Sequence, residues 1–115
     1  MAFPMKAGDT RRLLMKITDK NGVQGLDLTE ATIRWWASKG TVDQFSRTPI
    51  LKKSMGDGIE DTALFDGEFV VTLEPEDTQA LNGTYYFEVE VRDAFGNVST
   101  PIYDTFTVTK DLIQP

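Results

Sequence analysis

Apolar and polar residues alternate with a period of two along most of this chain, and the helical period of 3.6 is nearly absent. The clearest run spans residues 84–92, in which the odd-numbered positions are apolar: Tyr85, Phe87, Val89 and Val91. Shorter runs of the same kind cover residues 12–17, 32–38 and 68–73. Side chains that alternate in this way point to opposite faces of a strand, so the pattern predicts half-buried β-strands.

Turn-forming residues separate these runs. Asn21-Gly22 favours a tight hairpin, while Asp66-Gly67 and the segment 93–97 mark further turns. Pro75 predicts one helical turn over 75–81, because proline fits the first position of a helix. Pro101 predicts a bulge in the last strand, since proline is tolerated in sheets mainly at edges and bulges.

The spacing of strands and turns predicts an all-β fold. About seven short strands favour a single immunoglobulin-like antiparallel β-sandwich with one short helical turn. The sandwich is expected to span residues 10–110. Residues 1–9 are expected to form a flexible N-terminus and residues 111–115 a C-terminal tail.

The position of each aromatic residue in its strand indicates whether it faces the core. We expect a core built on five aromatic residues, namely Trp35, Phe69, Tyr85, Phe87 and Phe106. On the outer faces we expect four exposed apolar side chains that bind a partner, namely Trp36, Tyr86, Val70 and Leu14. An alternative for Trp36 is that it lies beneath the polar 39–48 loop, against Phe45.

Composition excludes several classes of function. Eighteen acidic residues against twelve basic ones give a net charge of −6, which argues against a nucleic-acid partner. The chain has no cysteine and no histidine, so it has no disulfide, no Ser-His-Asp triad and none of the usual zinc ligands. No apolar stretch reaches the roughly 20 residues of a membrane span, and the first residues lack the apolar core of a signal peptide. We therefore expect a protein made in the cytoplasm that is no enzyme, binds no cofactor and has no membrane partner.

One acidic group was weighed as a calcium site. Asp57, Glu60, Asp61 and Asp66 supply the oxygen ligands that Ca²⁺ prefers, but their spacing does not match an EF-hand. Solvated acids in turns explain the same residues, so no metal site is predicted.

Three short motifs resemble those of a known family. They are Asp27-Leu28-Thr29-Glu30-Ala31 ahead of a strand, Asn82-Gly83-Thr84-Tyr85 at the start of the clearest strand, and Asp93-Ala94-Phe95-Gly96-Asn97 after it. In this order they resemble the immunoglobulin-like domain at the N-terminus of phage baseplate upper proteins, over roughly residues 10 to 110. Gly83-Thr84-Tyr85 also resembles a tyrosine corner, in which the hydroxyl bonds to nearby backbone.

The resemblance implies a non-enzymatic structural protein of a tailed-phage or prophage virion. Such a protein would dock on the tail, baseplate, neck or head surface, with other phage structural proteins or a symmetric oligomer of itself as partners. Its location would be the virion, after synthesis in the host cytoplasm. An alternative from a different class is a carbohydrate-binding module, in which Trp36, Tyr86 and Phe45 stack on a surface glycan.

Overall fold

The computed structural model describes residues 2–19, 22 and 24–113. That part of the chain forms eight β-strands, which are β1 (Phe3–Lys6), β2 (Arg11–Lys16), β3 (Thr32–Lys39), β4 (Leu51–Met55), β5 (Gly58–Ala63), β6 (Glu68–Leu73), β7 (Gly83–Arg92) and β8 (Val98–Thr109). A 3₁₀ turn, Leu64–Asp66, precedes β6, and one helical turn, α1 (Pro75–Thr78), follows it.

The strands form one continuous sheet in the order β1-β8-β7-β3-β4-β5-β6-β2. The sheet folds over so that both halves contribute to a single apolar core. The all-β prediction is therefore confirmed. The structure differs in detail, because β1 pairs with β8 and β4 with β5 in the parallel direction.

All five aromatic residues expected in the core are buried, with exposures of 4% or less: Trp35, Phe69, Tyr85, Phe87 and Phe106. The Trp35 and Phe87 rings stack with centroids 5.5 Å apart. The Phe106 ring lies 5.6 Å from Tyr85 and 6.1 Å from Phe87. Alternation places these rings inside because inward positions recur at every second residue of β3, β6, β7 and β8.

The N-terminal segment is not the flexible terminus expected for residues 1–9. Phe3 and Met5 of β1 are buried, and the Phe3 ring stacks on Phe106 with centroids 5.2 Å apart. Two alternating apolar residues beside a proline are too short a pattern to predict a strand. The N-terminal segment forms a strand because it pairs with β8, which lies about 100 residues away in sequence. In the expected C-terminal tail, residues 111–113 lie outside any strand, and residues 114–115 are outside the described part.

The predicted bulge near Pro101 and the predicted tyrosine corner are both present. Residue pairing between β7 and β8 shifts from Val89 opposite Ile102 to Val91 opposite Ser99, which places one extra residue at Thr100-Pro101. The Asn82 N–H donates to the Tyr85 hydroxyl at 3.0 Å, as in a tyrosine corner. The predicted Asn21-Gly22 turn falls partly outside the described residues, because Asn21 is not among them.

Candidate functional site

A groove of about 360 Å³ opens on the outer face of the sheet, over β3 and β7 and beside the loop that follows β3. Trp36 forms one side of it, and the stacked rings of Phe45 and Tyr86 form the other. The remaining lining comes from Ala37, Ser38, Ser46, Arg47, Pro49 and Glu88. We call this feature the aromatic groove.

Cations from two strands fix the Trp36 side of the aromatic groove. The Lys52 ammonium lies 4.5 Å from the centroid of the Trp36 ring, and the Arg34 guanidinium carbon lies 4.9 Å from it. Lys52 is the cross-strand neighbour of Trp36, and Arg34 precedes it by two residues on the same face. Arg34 also forms an ion pair with Glu90. Trp36 is half-buried, so these cation–π contacts hold an indole whose edge still reaches solvent.

The 39–48 loop forms the other side of the aromatic groove. Gly40 pairs with Phe45 as an isolated bridge, and Thr41 and Gln44 exchange backbone hydrogen bonds of 2.9 and 3.2 Å. Gly40 has φ +132°, and a Cβ there would lie 2.5 Å from the Phe45 Cα, so only glycine allows this turn. The turn lays the Phe45 ring on Tyr86, with centroids 4.1 Å apart and planes inclined by 15°.

Tyr86 lies beneath that ring and is only 7% exposed. Its hydroxyl donates to a Glu88 carboxylate oxygen at 2.7 Å. Burial raises the pKa of the Tyr86 phenol well above its ordinary value, and the hydrogen bond to Glu88 raises it further. The expectation that Tyr86 is an exposed contact residue is therefore wrong, since it supports the groove from beneath. The 39–48 loop does cover a ring, as the alternative held, but that ring is Tyr86 rather than Trp36.

The other two predicted contact residues lie elsewhere. Leu14 on β2 and Val70 on β6 are cross-strand partners in the other half of the sheet. Leu14 is 64% exposed, whereas Val70 is 7% exposed and thus buried outside the core cluster. Alternation tells inward from outward positions, but it does not tell which of two outer faces a residue occupies. The four predicted residues therefore form two separate pairs, and only Trp36 and Tyr86 line the aromatic groove.

Two further residues, one in the groove and one at the far end of β7, carry no site prediction from the sequence. Arg47 lines the groove, and among the described residues its guanidinium has no ion-pair partner. Phe95, at the tip of the turn between β7 and β8, is 91% exposed. The sequence does indicate that Phe95 is exposed, because an aromatic residue there lies within an Asp-x-x-Gly turn. Nothing in the sequence around Arg47 indicates that it lines a groove.

Three of the four acidic residues in the candidate calcium group have separate structural roles. Asp66 pairs with Lys16 at 3.3 Å, and Glu60 pairs with Arg12 at 3.7 Å. Asp61 accepts a hydrogen bond from the Leu64 N–H at 3.0 Å. Within the described ranges, no three carboxylates, histidines or cysteines are grouped so that they could hold a metal ion. Those ranges also contain no helix that is long and apolar enough to cross a membrane.

The aromatic groove does not offer the flat platform expected for a stacked sugar. Cations lie over the Trp36 ring, and the Phe45 ring covers Tyr86. What remains open is a cleft lined by ring edges, aliphatic groups and the side chain of Arg47. This geometry favours an inserted side chain over a stacked sugar ring.

Comparison with known proteins yields little. No protein-family model and no curated protein matches the sequence. Among solved structures, the chain is similar to AggA, the major subunit of aggregative adherence fimbriae type I from Escherichia coli. The two share 12% sequence identity and a TM-score of 0.30, over 94% of this chain and 89% of that chain.

This comparison contradicts the expectation of a tailed-phage virion protein, because the similar structure is a bacterial fimbrial subunit. We therefore abandon the phage assignment. At this level of similarity the likeness does not place the chain in the fimbrial family either.

The first of the three motifs behind the phage resemblance, Asp27-Leu28-Thr29-Glu30-Ala31, has a local explanation. The Asp27 carboxylate accepts hydrogen bonds from the Thr29 hydroxyl at 2.7 Å and the Thr29 N–H at 3.0 Å. These bonds lower the pKa of Asp27, while Leu28 is buried in the core. Asx turns of this kind recur wherever the backbone needs them, so this motif does not identify a family.

Proposed function

We propose that the chain is a non-enzymatic protein-binding domain that docks in an assembly through the aromatic groove. The observation that carries this proposal is the open apolar cleft between Trp36 and the Phe45–Tyr86 stack. Trp and Arg are among the residue types most enriched at binding hot spots, and Trp36 and Arg47 both line this cleft.

The charges around the cleft suit a protein partner. Arg47 and Glu88 bring opposite charges to the lining, and Arg34 and Glu90 pair just beyond Trp36. An apolar centre inside a polar rim is the usual anatomy of a protein interface. Such a rim orients the partner, and insertion of an apolar side chain into the centre provides affinity.

Co-purification with matched variants tests the proposal. Tagged chain is expressed in the cells that naturally produce it, either as wild type, as Trp36→Ala, as Arg47→Glu or as Leu14→Ser. Leu14 is the control because it is an exposed apolar residue on the other half of the sheet. We expect one protein to co-purify in fixed ratio with wild type and Leu14→Ser, and to be lost with both groove variants.

Two results would contradict the proposal. One is a wild-type chain that co-purifies with no protein in fixed ratio. The other is a partner retained equally by all four chains, which would place the contact outside the aromatic groove. Circular dichroism of each variant confirms that the fold is kept.

A further inference from the structure

We infer that the partner in the aromatic groove is a second copy of this chain, which inserts the Phe95 side chain of its β7–β8 turn. This inference rests on the proposed function and names its occupant. Because the inserting turn and the receiving groove are different surfaces, the contact is head-to-tail. Contacts of this kind continue into open chains or close into rings.

The inserting element is a rigid turn with an aromatic tip. Phe95 is 91% exposed, although the backbone on both sides of it is tied to Asp93. One carboxylate oxygen of Asp93 accepts hydrogen bonds from the backbone N–H groups of Phe95 and Asn97, each at 2.9 Å. The other oxygen accepts a hydrogen bond from the side-chain amide of Asn97 at 3.0 Å. A backbone already held in place loses little conformational freedom on binding, so this turn is well prepared to present Phe95.

The groove has the size and lining for that side chain. An apolar cavity of about 150 Å³ is enough to hold benzene. At about 360 Å³, the aromatic groove has room for the Phe95 ring with part of its flanking backbone. Between Trp36 and Phe45 the Phe95 ring would meet other aromatic rings, and aromatic pairs contribute binding energy beyond the burial of their area.

The charges of the two surfaces are complementary. Asp93 lies two residues before Phe95, and its carboxylate stays ionised because the Asn97 amide and nearby N–H groups bond to it. Arg47 lines the groove with no ion-pair partner among the described residues. When Phe95 enters the groove, the anion at the base of the turn comes beside this cation. Opposite charges placed in this way favour one orientation of docking.

One molecule cannot satisfy both surfaces by itself. Tyr86 lies in the groove, and Arg92, six residues later, lies at the end of the same strand. At about 3.3 Å per residue, the turn begins roughly 20 Å from the groove along a rigid strand. The molecule is 44 Å long, so turn and groove are separated along it and Phe95 must come from another copy.

Sedimentation velocity with complementary variants tests the inference. Phe95→Ser removes the inserting side chain and leaves the groove intact. Arg47→Glu repels Asp93 and leaves the turn intact. Phe65→Ser is the matched control, because Phe65 is 71% exposed and lies in the 3₁₀ turn before β6.

We expect wild type and Phe65→Ser to form larger species as their concentration rises. Phe95→Ser and Arg47→Glu alone should each associate about thirtyfold more weakly, the size of a hot-spot loss. An equimolar mixture of these two variants should form a dimer and nothing larger, because only one competent contact remains between them.

Three results would overturn the inference: a wild-type chain that stays monomeric, a Phe95→Ser variant that associates as wild type does, or a mixture that forms no dimer. Failure of the proposed function is a separate result. If wild type is monomeric but the groove variants still lose a co-purified protein, the second copy is excluded and the protein-binding groove stands.

Discussion

The Phe45 ring stacks on the ring of Tyr86, with centroids 4.1 Å apart, and this contact joins the 39–48 loop to β7. Tyr86 in turn donates its hydroxyl hydrogen to Glu88, two residues along the strand. One side of the aromatic groove is therefore held by a ring from a loop, a ring from a strand and a partly buried hydrogen bond. This relationship determines both the shape of the groove and how the loop is anchored.

Removal of the Phe45 ring should release the loop. Phe45→Ala loses an aromatic pair, so we expect a loss of about 1 kcal/mol in the free energy of unfolding. Backbone amides of Thr41 and Gln44 should exchange faster with deuterium, and Tyr86, once exposed, should ionise at a lower pH than in wild type. Urea denaturation, amide exchange and a spectroscopic titration measure these effects. Phe65→Ala is the control, and equal effects from both variants would contradict the anchoring role.

Truncation of the adjacent residues Trp35 and Trp36 should destabilise the fold to very different extents. Trp35 is fully buried, so Trp35→Ala should cost about 3–5 kcal/mol. Trp36→Ala should cost about 1 kcal/mol, because it removes mainly cation–π contacts with Arg34 and Lys52 at the surface. Thermal and urea unfolding of both variants check this difference. A Trp36→Ala chain that unfolds would place Trp36 in the core and remove the basis for the groove.

The tyrosine corner should contribute through its hydroxyl. Tyr85→Phe keeps the buried ring but removes the oxygen that accepts the Asn82 N–H at 3.0 Å and donates to the Asn82 carbonyl at 3.3 Å. We expect a loss of about 0.5–1.5 kcal/mol, measured by urea denaturation. Tyr103→Phe is the control, because Tyr103 is 57% exposed. A change near zero at both positions would show that the corner adds no stability.

The alternation of apolar and polar residues predicted which side chains face the core, but it did not predict which outward-facing side chains are exposed. Alternation placed Trp35 inside and Trp36 outside because opposite facing is a property of any strand. It could not predict that Tyr86 is covered, since the covering ring of Phe45 comes from a loop whose position depends on Gly40.

Long-range pairing accounts for the other differences. The strand at Phe3–Lys6 exists because β8 is beside it, and four residues carry too little pattern to reveal that partner. Leu14 and Trp36 were grouped because both point outward, yet they lie on different halves of the folded sheet. The order of strands in the sheet decides which outer face a residue occupies, and this order cannot be predicted from the alternation pattern of a single sequence.

The Asp93 turn should depend on pH in a defined direction. Hydrogen bonds from Asn97 and the turn's N–H groups lower the pKa of the folded Asp93 carboxyl below its ordinary value of 3.8. The turn's contribution to stability is therefore fully present above 3.8, and it is lost as pH falls through the lowered pKa. An NMR titration should give a pKa below 3.8, with exchange of the Phe95 and Asn97 amides rising only below that value.

A variant separates this effect from general acid unfolding. In Asp93→Ala, the amides of Phe95 and Asn97 should exchange rapidly at neutral pH, while the core amides of β7 stay protected. An Asp93 pKa at or above 3.8 in wild type would contradict the hydrogen-bonded turn.

Site-specific photo-crosslinking in the native cell tests the protein-binding groove most directly. A benzophenone amino acid replaces Ser46 in the lining of the groove, which leaves Arg47 in place, or, as control, Leu14 on the other half of the sheet. The account predicts a protein adduct of defined mass from position 46 and none from position 14. An adduct with a second copy of the chain would also support head-to-tail association. No adduct from position 46, or equal adducts from both positions, would contradict the central claim.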